Sequence, residues 1–306
     1  MIYIGDINSN RMTKYPFRHL LPVLPLLLSV HFLCGQEHAA YLIFNHKGEK
    51  VDYEQMKKKS AEYEVVFFGE LHNNPIAHWL QLKLTSDLYE LKDGKLILGA
   101  EMFETDDQLV IDEYLSGKIN LKNFEEEVKL WDNYKTDYKP LVEFAKSKKL
   151  SFKATNVPRR YANLVFRTGL ESLSELSESA KAQFLPPLPI PIDLALPTYK
   201  KMITMMGNHG GNTSENMVKA QAIKDATMGY SISNAVKPNH LFIHFNGAYH
   251  SDEKEGILWY VNKYKPNLKI LTISTVEQDK IDVLDAENFN KADFILVIPE
   301  KMTKTY

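Results

Sequence analysis

Short apolar runs recur along the chain in the pattern that is typical of buried strands. The six clearest are VVFF at 65–68, LILGA at 96–100, LSFKA at 150–154, LFIHF at 241–245, LKILTIS at 268–274 and FILVI at 294–298. Helical patterns lie between most of them: from Ile76 to Leu91, apolar residues recur every three or four positions, which is the period of an amphipathic helix. Strands that alternate with helices predict an α/β fold with a mostly parallel central sheet, flanked by helices.

The pattern becomes mainly helical between about residues 160 and 236, with an interruption by PPLPIPIDLALP at 186–197. Prolines at this density remove backbone donors and fix φ, so the stretch is expected to be an extended connection between helices. Because the later strands are needed to complete the sheet, we interpret this region as a helical insert or lid on a single domain that spans residues 36–306.

Residues 1–35 have the pattern of an export signal. Met12 is a plausible true start, since Lys14 and Arg18 then precede the apolar run LLPVLPLLLSVHFL at 20–33, as in a signal peptide. The run is too short, and too interrupted by proline, for a membrane-spanning helix of about 20 apolar residues.

Cys34, the only cysteine of the chain, ends this run. In a lipoprotein signal it would become the acylated first residue of the mature protein, whereas ordinary cleavage after Gly35 would remove it. Leu33 is larger than the residue that usually precedes such a cysteine, but we favour the lipoprotein interpretation. It predicts an exported protein, periplasmic or at the outer membrane, that is anchored to the membrane through Cys34.

The composition excludes some classes of function. Lys and Arg total 37 against 39 Asp and Glu, and the net charge of −2 creates no field that favours nucleic acid. Hydrophobic residues make up 44% of the chain, which is ample for a globular core.

Polar side chains follow four of the predicted strands. They are Glu70 and His72 after the first, Glu101 after the second, Asn156 and Arg159 after the third, and Tyr249 and His250 after the fourth. Ligands of open parallel sheets bind beyond the carboxyl ends of the strands, so we expect these side chains to meet at that edge, which we call the rim. Imidazole and carboxylate groups suit a divalent transition metal. A single histidine there is more often structural, but Gly-x-x-His occurs twice, at 69–72 and 247–250.

A second candidate group lies on the predicted helix SENMVKAQAIKDATMGYSISNAV. Gln221 and Asp225 fall within an otherwise apolar stripe of that helix, where they are either satisfied by backbone groups or water, or belong to a site. His209, in the glycine-rich MMGNHGG just upstream, could reach the rim.

Several ordered segments resemble the ChaN-like haem-binding uptake family of the Tiki superfamily over roughly residues 60–255. They are VVFFGELHNNPIAHW, LGAEMFETDDQLVIDEYLSGKI, WDNYKTDYKPLVEFAKSKKLSFKATNVPRR, AQAIKDATM and NGAYH. The last one differs from the more usual GNGH of the family and places Tyr249 beside His250, which changes the expected shape of the pocket there.

The resemblance implies a bacterial, often lipid-anchored protein that binds haem during iron acquisition. The superfamily also contains metal-dependent peptidases and erythromycin-esterase-like proteins, and its shared site maps onto Glu101, His72 and His250, with Glu70 beside them. Haem needs an axial ligand from His, Met, Cys or Tyr, and Tyr249 is one candidate. His209, Asn156, Arg159, Gln221 and Asp225 are the other expected pocket residues.

Three functions remain open at this point. The first is a haem carrier, for which a homodimer that shares its haem is one arrangement. The second is a metal-dependent hydrolase, a peptidase or esterase, in which His72, Glu101 and His250 hold a divalent ion and Glu70 is the general base. The third, an inert module in which the rim residues only buttress the strand ends, ranks last because so many polar groups are costly to bury without a ligand.

Overall fold

One sheet of eight strands organises residues 39–205 and 212–306, the part of the chain that the computed structural model describes. Cys34 and His209 lie outside these ranges. The strands are β1 (Leu42–Asn45), β2 (Lys50–Val51), β3 (Val65–Glu70), β4 (Leu96–Glu104), β5 (Ser151–Asn156), β6 (Leu241–Gly247), β7 (Ile270–Gln278) and β8 (Phe294–Pro299). All six strands predicted from the apolar runs are present, and β1 and β2 are additional.

The strand order is β2-β1-β8-β7-β3-β6-β4-β5. Every pair from β8 to β5 is parallel, whereas β1 runs antiparallel to both β8 and β2. The prediction of a mostly parallel sheet is therefore confirmed, with two antiparallel strands at one edge. The strands β3, β6, β4 and β5 are consecutive neighbours, so their carboxyl ends form one continuous rim.

Ten α-helices lie within the described ranges. They are α1 (Tyr53–Ser60), α2 (Pro75–Leu91), α3 (Gln108–Leu115), α4 (Leu121–Glu127), α5 (Lys139–Lys148), α6 (Arg159–Thr168), α7 (Glu178–Phe184), α8 (Pro197–Met205), α9 (Asn212–Ala235) and α10 (Ile257–Tyr264). A π-helical turn, Tyr134–Tyr138, precedes α5. Asn74 caps α2, since its Oδ1 accepts hydrogen bonds from the backbone N–H groups of Ile76 and Ala77 at 3.1 and 3.2 Å, which fixes where the chain turns after β3.

The central strand β3 shows why the sheet is covered on both faces. Its side chains alternate: Val66 and Phe68 pack in the cluster that contains the buried face of α2, and Val65 and Phe67 pack in the cluster that contains α9 and α10. All four are fully buried. A continuous apolar run, rather than an alternating one, is what a strand buried on both faces requires.

The region predicted to be an insert, about residues 160–236, contains α6, α7, α8 and α9, with the proline-rich stretch between α7 and α8. These helices enclose their own apolar cluster, which includes Tyr161, Tyr199 and Ile223. The helical content is as predicted, whereas a lid role remains a prediction. No helix in the described part of the chain is long and apolar enough to cross a membrane.

Candidate functional site

His72 and Glu101 lie side by side at the rim, around Gly247. Gly247 ends β6 and donates its backbone N–H to Oε2 of Glu101 at 2.8 Å. A Cβ atom at this glycine would lie 2.9 Å from Nε2 of His72 and 3.6 Å from Oε2 of Glu101. The missing side chain of Gly247 therefore leaves the space into which Nε2 of His72 points.

His250 joins Glu101 from the other side and is also held by Asp225 of α9. Its Nε2 lies 3.1 Å from Oε1 of Glu101, and its Nδ1 lies 2.5 Å from Oδ1 of Asp225. The hydroxyl of Tyr199, on α8, donates to the second oxygen of Asp225 at 2.9 Å. His250, Glu101 and Asp225 are all buried. The position of His250 is therefore fixed by two carboxylates, one from the sheet and one from α9.

The charges of this buried group depend on one another. Burial alone would lower the pKa of His250, but Glu101 and Asp225 raise that pKa to about 10. Burial would raise the pKa of Glu101, and the charge of His250 instead holds it well below its ordinary value. For Asp225, burial prevails and raises the pKa despite the neighbouring imidazolium. At neutral pH, His250 is thus a cation paired with Glu101.

Each of the two rim histidines, His72 and His250, contacts a carboxylate through its Nδ1 atom. Nδ1 of His72 lies 3.0 Å from Oε1 of Glu70, just as Nδ1 of His250 contacts Asp225. Nε2 of His250 is thereby turned to Glu101, and Nε2 of His72 to the space beside Gly247. Carboxylates in this position orient metal-binding histidines in many proteins. As the side chains stand, however, no three His, Cys, Asp or Glu residues in the described ranges are arranged to hold a metal ion.

Glu70 is buried and has several donors. The side chain amide of Gln81 and the hydroxyl of Tyr138 both donate to it, one to each oxygen. Nδ1 of His78 lies 3.6 Å from Oε2 of Glu70. Burial alone would raise the pKa of Glu70, but His78 and His72 lower it, so Glu70 is an ionised carboxylate that holds its neighbours in place.

The backbone of His72 is fixed as firmly as its ring. Its carbonyl oxygen accepts a hydrogen bond from Nδ2 of Asn133 at 2.7 Å and lies 3.0 Å from Nε2 of His78. The ring packs edge-on against Trp131, with 4.8 Å between the ring centres. The side chain of His72 is 39% exposed, whereas that of Glu70 is 2% exposed, so the rim is open to solvent at His72.

The remaining predicted pocket residues have unequal positions. Nδ2 of Asn156 donates to the carbonyl of Glu101 at 3.1 Å, which supports the rim from below. Arg159 is exposed at the first residue of α6. The amide nitrogen of Gln221 lies 2.9 Å from Nδ1 of His250. The hydroxyl of Tyr249 donates to the carbonyl of Thr198 at 2.8 Å, and so it points toward α8.

Sequence reasoning missed the residues that hold the rim from the helices: His78, Gln81, Trp131, Asn133, Tyr138 and Tyr199. One signal was available, because His78 and Gln81 are polar residues spaced i and i+3 inside the apolar stripe of α2, where two such side chains face the core. The others lie on the π-helical turn and its approach, or on α8, and no regular period points to them.

Comparison with known proteins adds three findings. The family model of haem-binding uptake proteins of the Tiki superfamily, ChaN, matches residues 56–261. A structure of ChaN from Campylobacter jejuni, described as showing cofacial haem binding, is similar with a TM-score of 0.65 and 18% identity, over 84% of this chain and 96% of that one; at this identity the likeness shows the fold. Comparison with curated protein sequences yields no match.

Two more distant structures are also similar. A succinoglycan biosynthesis protein has a TM-score of 0.48 and 10% identity, over 80% of this chain and 90% of that one. An erythromycin esterase mutant in its open conformation has a TM-score of 0.44 and 10% identity, over 77% of each chain. Likenesses of this size say nothing about the chemistry of the rim.

Proposed function

Because the chain belongs to the ChaN family of haem-binding uptake proteins in the Tiki superfamily, we propose that it is an exported haem-binding protein of iron uptake. The observation that carries this proposal is the extent of the family match, residues 56–261, which includes the four strands that form the rim and the whole of α9. Acylation of Cys34, with attachment to the outer membrane or another periplasmic surface, is part of the proposal.

We further propose that haem binds where the rim opens to solvent, at His72. Arg159, exposed at the start of α6 and three residues beyond Asn156, is the cation that we expect to pair with a carboxylate of haem. The ChaN structure from Campylobacter jejuni is described as binding haem cofacially. Haem groups that stack face to face would suit two copies of this chain, so a homodimer belongs to the same proposal.

The axial ligand has two candidates among the described residues. His72 is partly exposed, and its Nε2 points into the space beside Gly247, where it can bind iron. Tyr249 would have to give up its hydrogen bond to Thr198, and burial and nearby carboxylates raise the pKa of its phenol to about 12, which opposes the phenolate that ferric iron binds. His209, outside the described ranges, remains a predicted candidate.

Titration of the purified protein with ferric haem tests the proposal. We expect a saturable shift of the Soret band, which is lost when the axial ligand is removed by His72→Ala or Tyr249→Phe and is kept in the control His46→Ala, which changes an exposed histidine in the turn between β1 and β2. A wild-type protein that gives no saturable spectral change would exclude haem binding.

A metal-dependent hydrolase is the second candidate, and one observation favours it: both rim histidines have a carboxylate at Nδ1. Nε2 of His250 contacts Glu101, and Nε2 of His72 lies beside Gly247, whose N–H donates to Glu101. We propose His72, Glu101 and His250 as its ligands for a divalent transition ion, which would supply Lewis acidity and an activated water. The contact between His250 and Glu101 would have to open to admit the ion. Glu70 is the proposed general base of this candidate, and its contacts with Gln81 and Tyr138 hold it beside His72.

Metal analysis of protein prepared without chelator, followed by assays with peptides and esters, tests this second candidate. We expect a stoichiometric divalent metal and a hydrolytic activity that His72→Ala abolishes. Metal-free protein whose only response to His72→Ala is a change in stability would contradict it.

A further inference from the structure

The first two turns of α2 direct two buried polar side chains at the loop that carries His72. Gln81 donates its side chain N–H to Oε2 of Glu70. Because that nitrogen is the donor, the carbonyl oxygen of the same amide faces Nδ1 of His78, at 3.0 Å. Nε2 of His78 in turn lies 3.0 Å from the carbonyl oxygen of His72. Gln81 and His78 thus contact both ends of the Glu70–His72 segment.

This arrangement determines which ring nitrogen of His72 carries hydrogen. Both oxygens of Glu70 accept hydrogen bonds, one from Gln81 and the other from Tyr138, so the contact of Glu70 with Nδ1 of His72 at 3.0 Å makes Nδ1 the donor. In the neutral ring, Nε2 then keeps its lone pair. That lone pair points into the space beside Gly247 and Glu101, where a ligand would use it.

Buried polar groups can exist merely to satisfy one another, and the α2 pair has to be weighed against that explanation. Two apolar residues at positions 78 and 81 would extend the stripe of Ala77, Leu80 and Leu84 and would avoid burying a histidine and an amide. Instead, both side chains are buried, and their contacts to β3 and the loop after it fall on Glu70 and His72. His78 also contacts the π-helical turn, where its Nε2 lies 3.6 Å from Oδ2 of Asp137 and its ring packs edge-on against Tyr138, which itself donates to Glu70. A network that only satisfied its own polar groups would not need to reach the segment that carries His72.

We propose that Gln81 and His78 are positioning residues that hold Glu70 and the backbone of His72, and thereby keep Nε2 of His72 as the unprotonated ring nitrogen that points into the space beside Gly247. The proposal concerns the same rim as the proposed function, but it is a statement about the ligand-free protein. This proposal can therefore fail while haem binding is confirmed, and haem binding can fail while this proposal is confirmed.

The test is a nitrogen NMR measurement on ring-labelled, ligand-free full chain at alkaline pH, where the imidazole is neutral. In wild type, we expect a pyridine-like Nε2 resonance for His72. In Gln81→Met, which keeps the volume of the side chain but removes the amide, we expect that resonance to shift toward the position of a protonated nitrogen. Thr85→Val is the matched control: Thr85 is buried one turn further along α2 and donates to the carbonyl of Gln81 at 2.7 Å, but does not contact Glu70.

Three results would overturn the inference. The first is a wild-type His72 with hydrogen on Nε2, which needs no variant to fold. The second is a Gln81→Met protein with an unchanged His72 spectrum, which would reduce the α2 pair to a structural network. An equal shift in Thr85→Val would have the same meaning, because it would show that any lost hydrogen bond in α2 has this effect.

Discussion

Nε2 of His72 lies over the Cα atom of Gly247, so closely that a Cβ at position 247 would be 2.9 Å from it. The backbone of Gly247, with φ −55° and ψ 134°, is open to any residue. Only the contact with His72 therefore argues for glycine here, and this separates a packing effect from a backbone effect.

We expect Gly247→Ala to displace the His72 ring and to lower the free energy of unfolding by about 1–3 kcal/mol, as overpacked sites do. Chemical denaturation measures this loss. In the double variant with His72→Ala, the alanine at 247 should cost almost nothing, since its clash partner is gone. An equal cost with and without the His72 ring would show that another neighbour is responsible.

Tyr134 and Tyr138 offer a matched pair on the same π-helical turn. Both are almost completely buried. The hydroxyl of Tyr138 donates to Glu70, whereas that of Tyr134 has no hydrogen-bond partner among the described residues. We expect Tyr138→Phe to lower the free energy of unfolding by about 1–3 kcal/mol, because a buried ionised carboxylate loses a donor.

Tyr134→Phe is its control and should be neutral or slightly stabilising, because it removes a buried polar atom that makes no hydrogen bond. Thermal or chemical denaturation of both variants provides the comparison. Similar losses in the two proteins would mean that the cost comes from disturbance of the π-helical turn and not from Glu70.

The strand ends explain why the sequence predicts much of the rim. Apolar runs such as VVFF identify strands buried on both faces, and in a parallel sheet their carboxyl ends share an edge, which brings His72, Glu101 and His250 together without any knowledge of the helices. β1 and β2 were missed because they are short, four and two residues, and half-exposed at an edge. Runs of that length give no period to count.

The support of the rim was less predictable for a physical reason. Whether Tyr138 reaches Glu70 depends on a π-helical turn, in which the 3.6-residue period used to read a helix does not apply. The hydroxyl of Tyr249 reaches Thr198 only because α8 packs there. Such contacts follow from how separate elements dock, which the local pattern of residues does not record.

We predict that the contribution of Asp252 to stability changes with pH in the direction opposite to that of a carboxylate in an ion pair. Burial raises its pKa to about 6 although the hydroxyl of Ser274 donates to it at 2.6 Å. Because the folded-state pKa is above the ordinary value, stability from this group is full at acid pH and is lost as the pH rises through about 6. Asp252→Asn should therefore stabilise the protein by about 1–3 kcal/mol above that pH.

Denaturation at acid and at neutral pH checks this expectation. The variant and wild type should be equally stable at about pH 2.5, well below the ordinary pKa of 3.8, where the aspartic acid is largely protonated in both states. Glu300→Gln, at an exposed carboxylate, is the control and should change little at either pH. A loss of stability in Asp252→Asn at neutral pH would mean that the charge of Asp252 is favourable where it lies.

His250 gives the strongest expected pH dependence. Its pKa is raised from an ordinary value near 6.5 to about 10 by Glu101 and Asp225, against the opposing effect of burial. Between these two pH values, which we call the window, the folded protein thus keeps a proton that the unfolded chain releases. This stabilisation is complete below the unfolded pKa and disappears as the pH rises through about 10. In wild type, the free energy of unfolding should fall across the window.

Asp225→Asn should reduce the pH dependence of the free energy of unfolding, since it removes one of the two carboxylates that hold the proton on His250. Near about pH 6 we expect the variant to be less stable than wild type by about 3–5 kcal/mol, which is the usual effect of breaking a buried ion pair. Because the proton leaves the wild-type ring as the pH rises through about 10, the two proteins should converge above that pH. Asp282→Asn removes an ion pair to Lys50 in which the aspartate is 86% exposed, and should show neither the loss nor the convergence. A difference between Asp225→Asn and wild type that stays constant with pH would mean that Asp225 supports the fold through Tyr199, and not through the charge of His250.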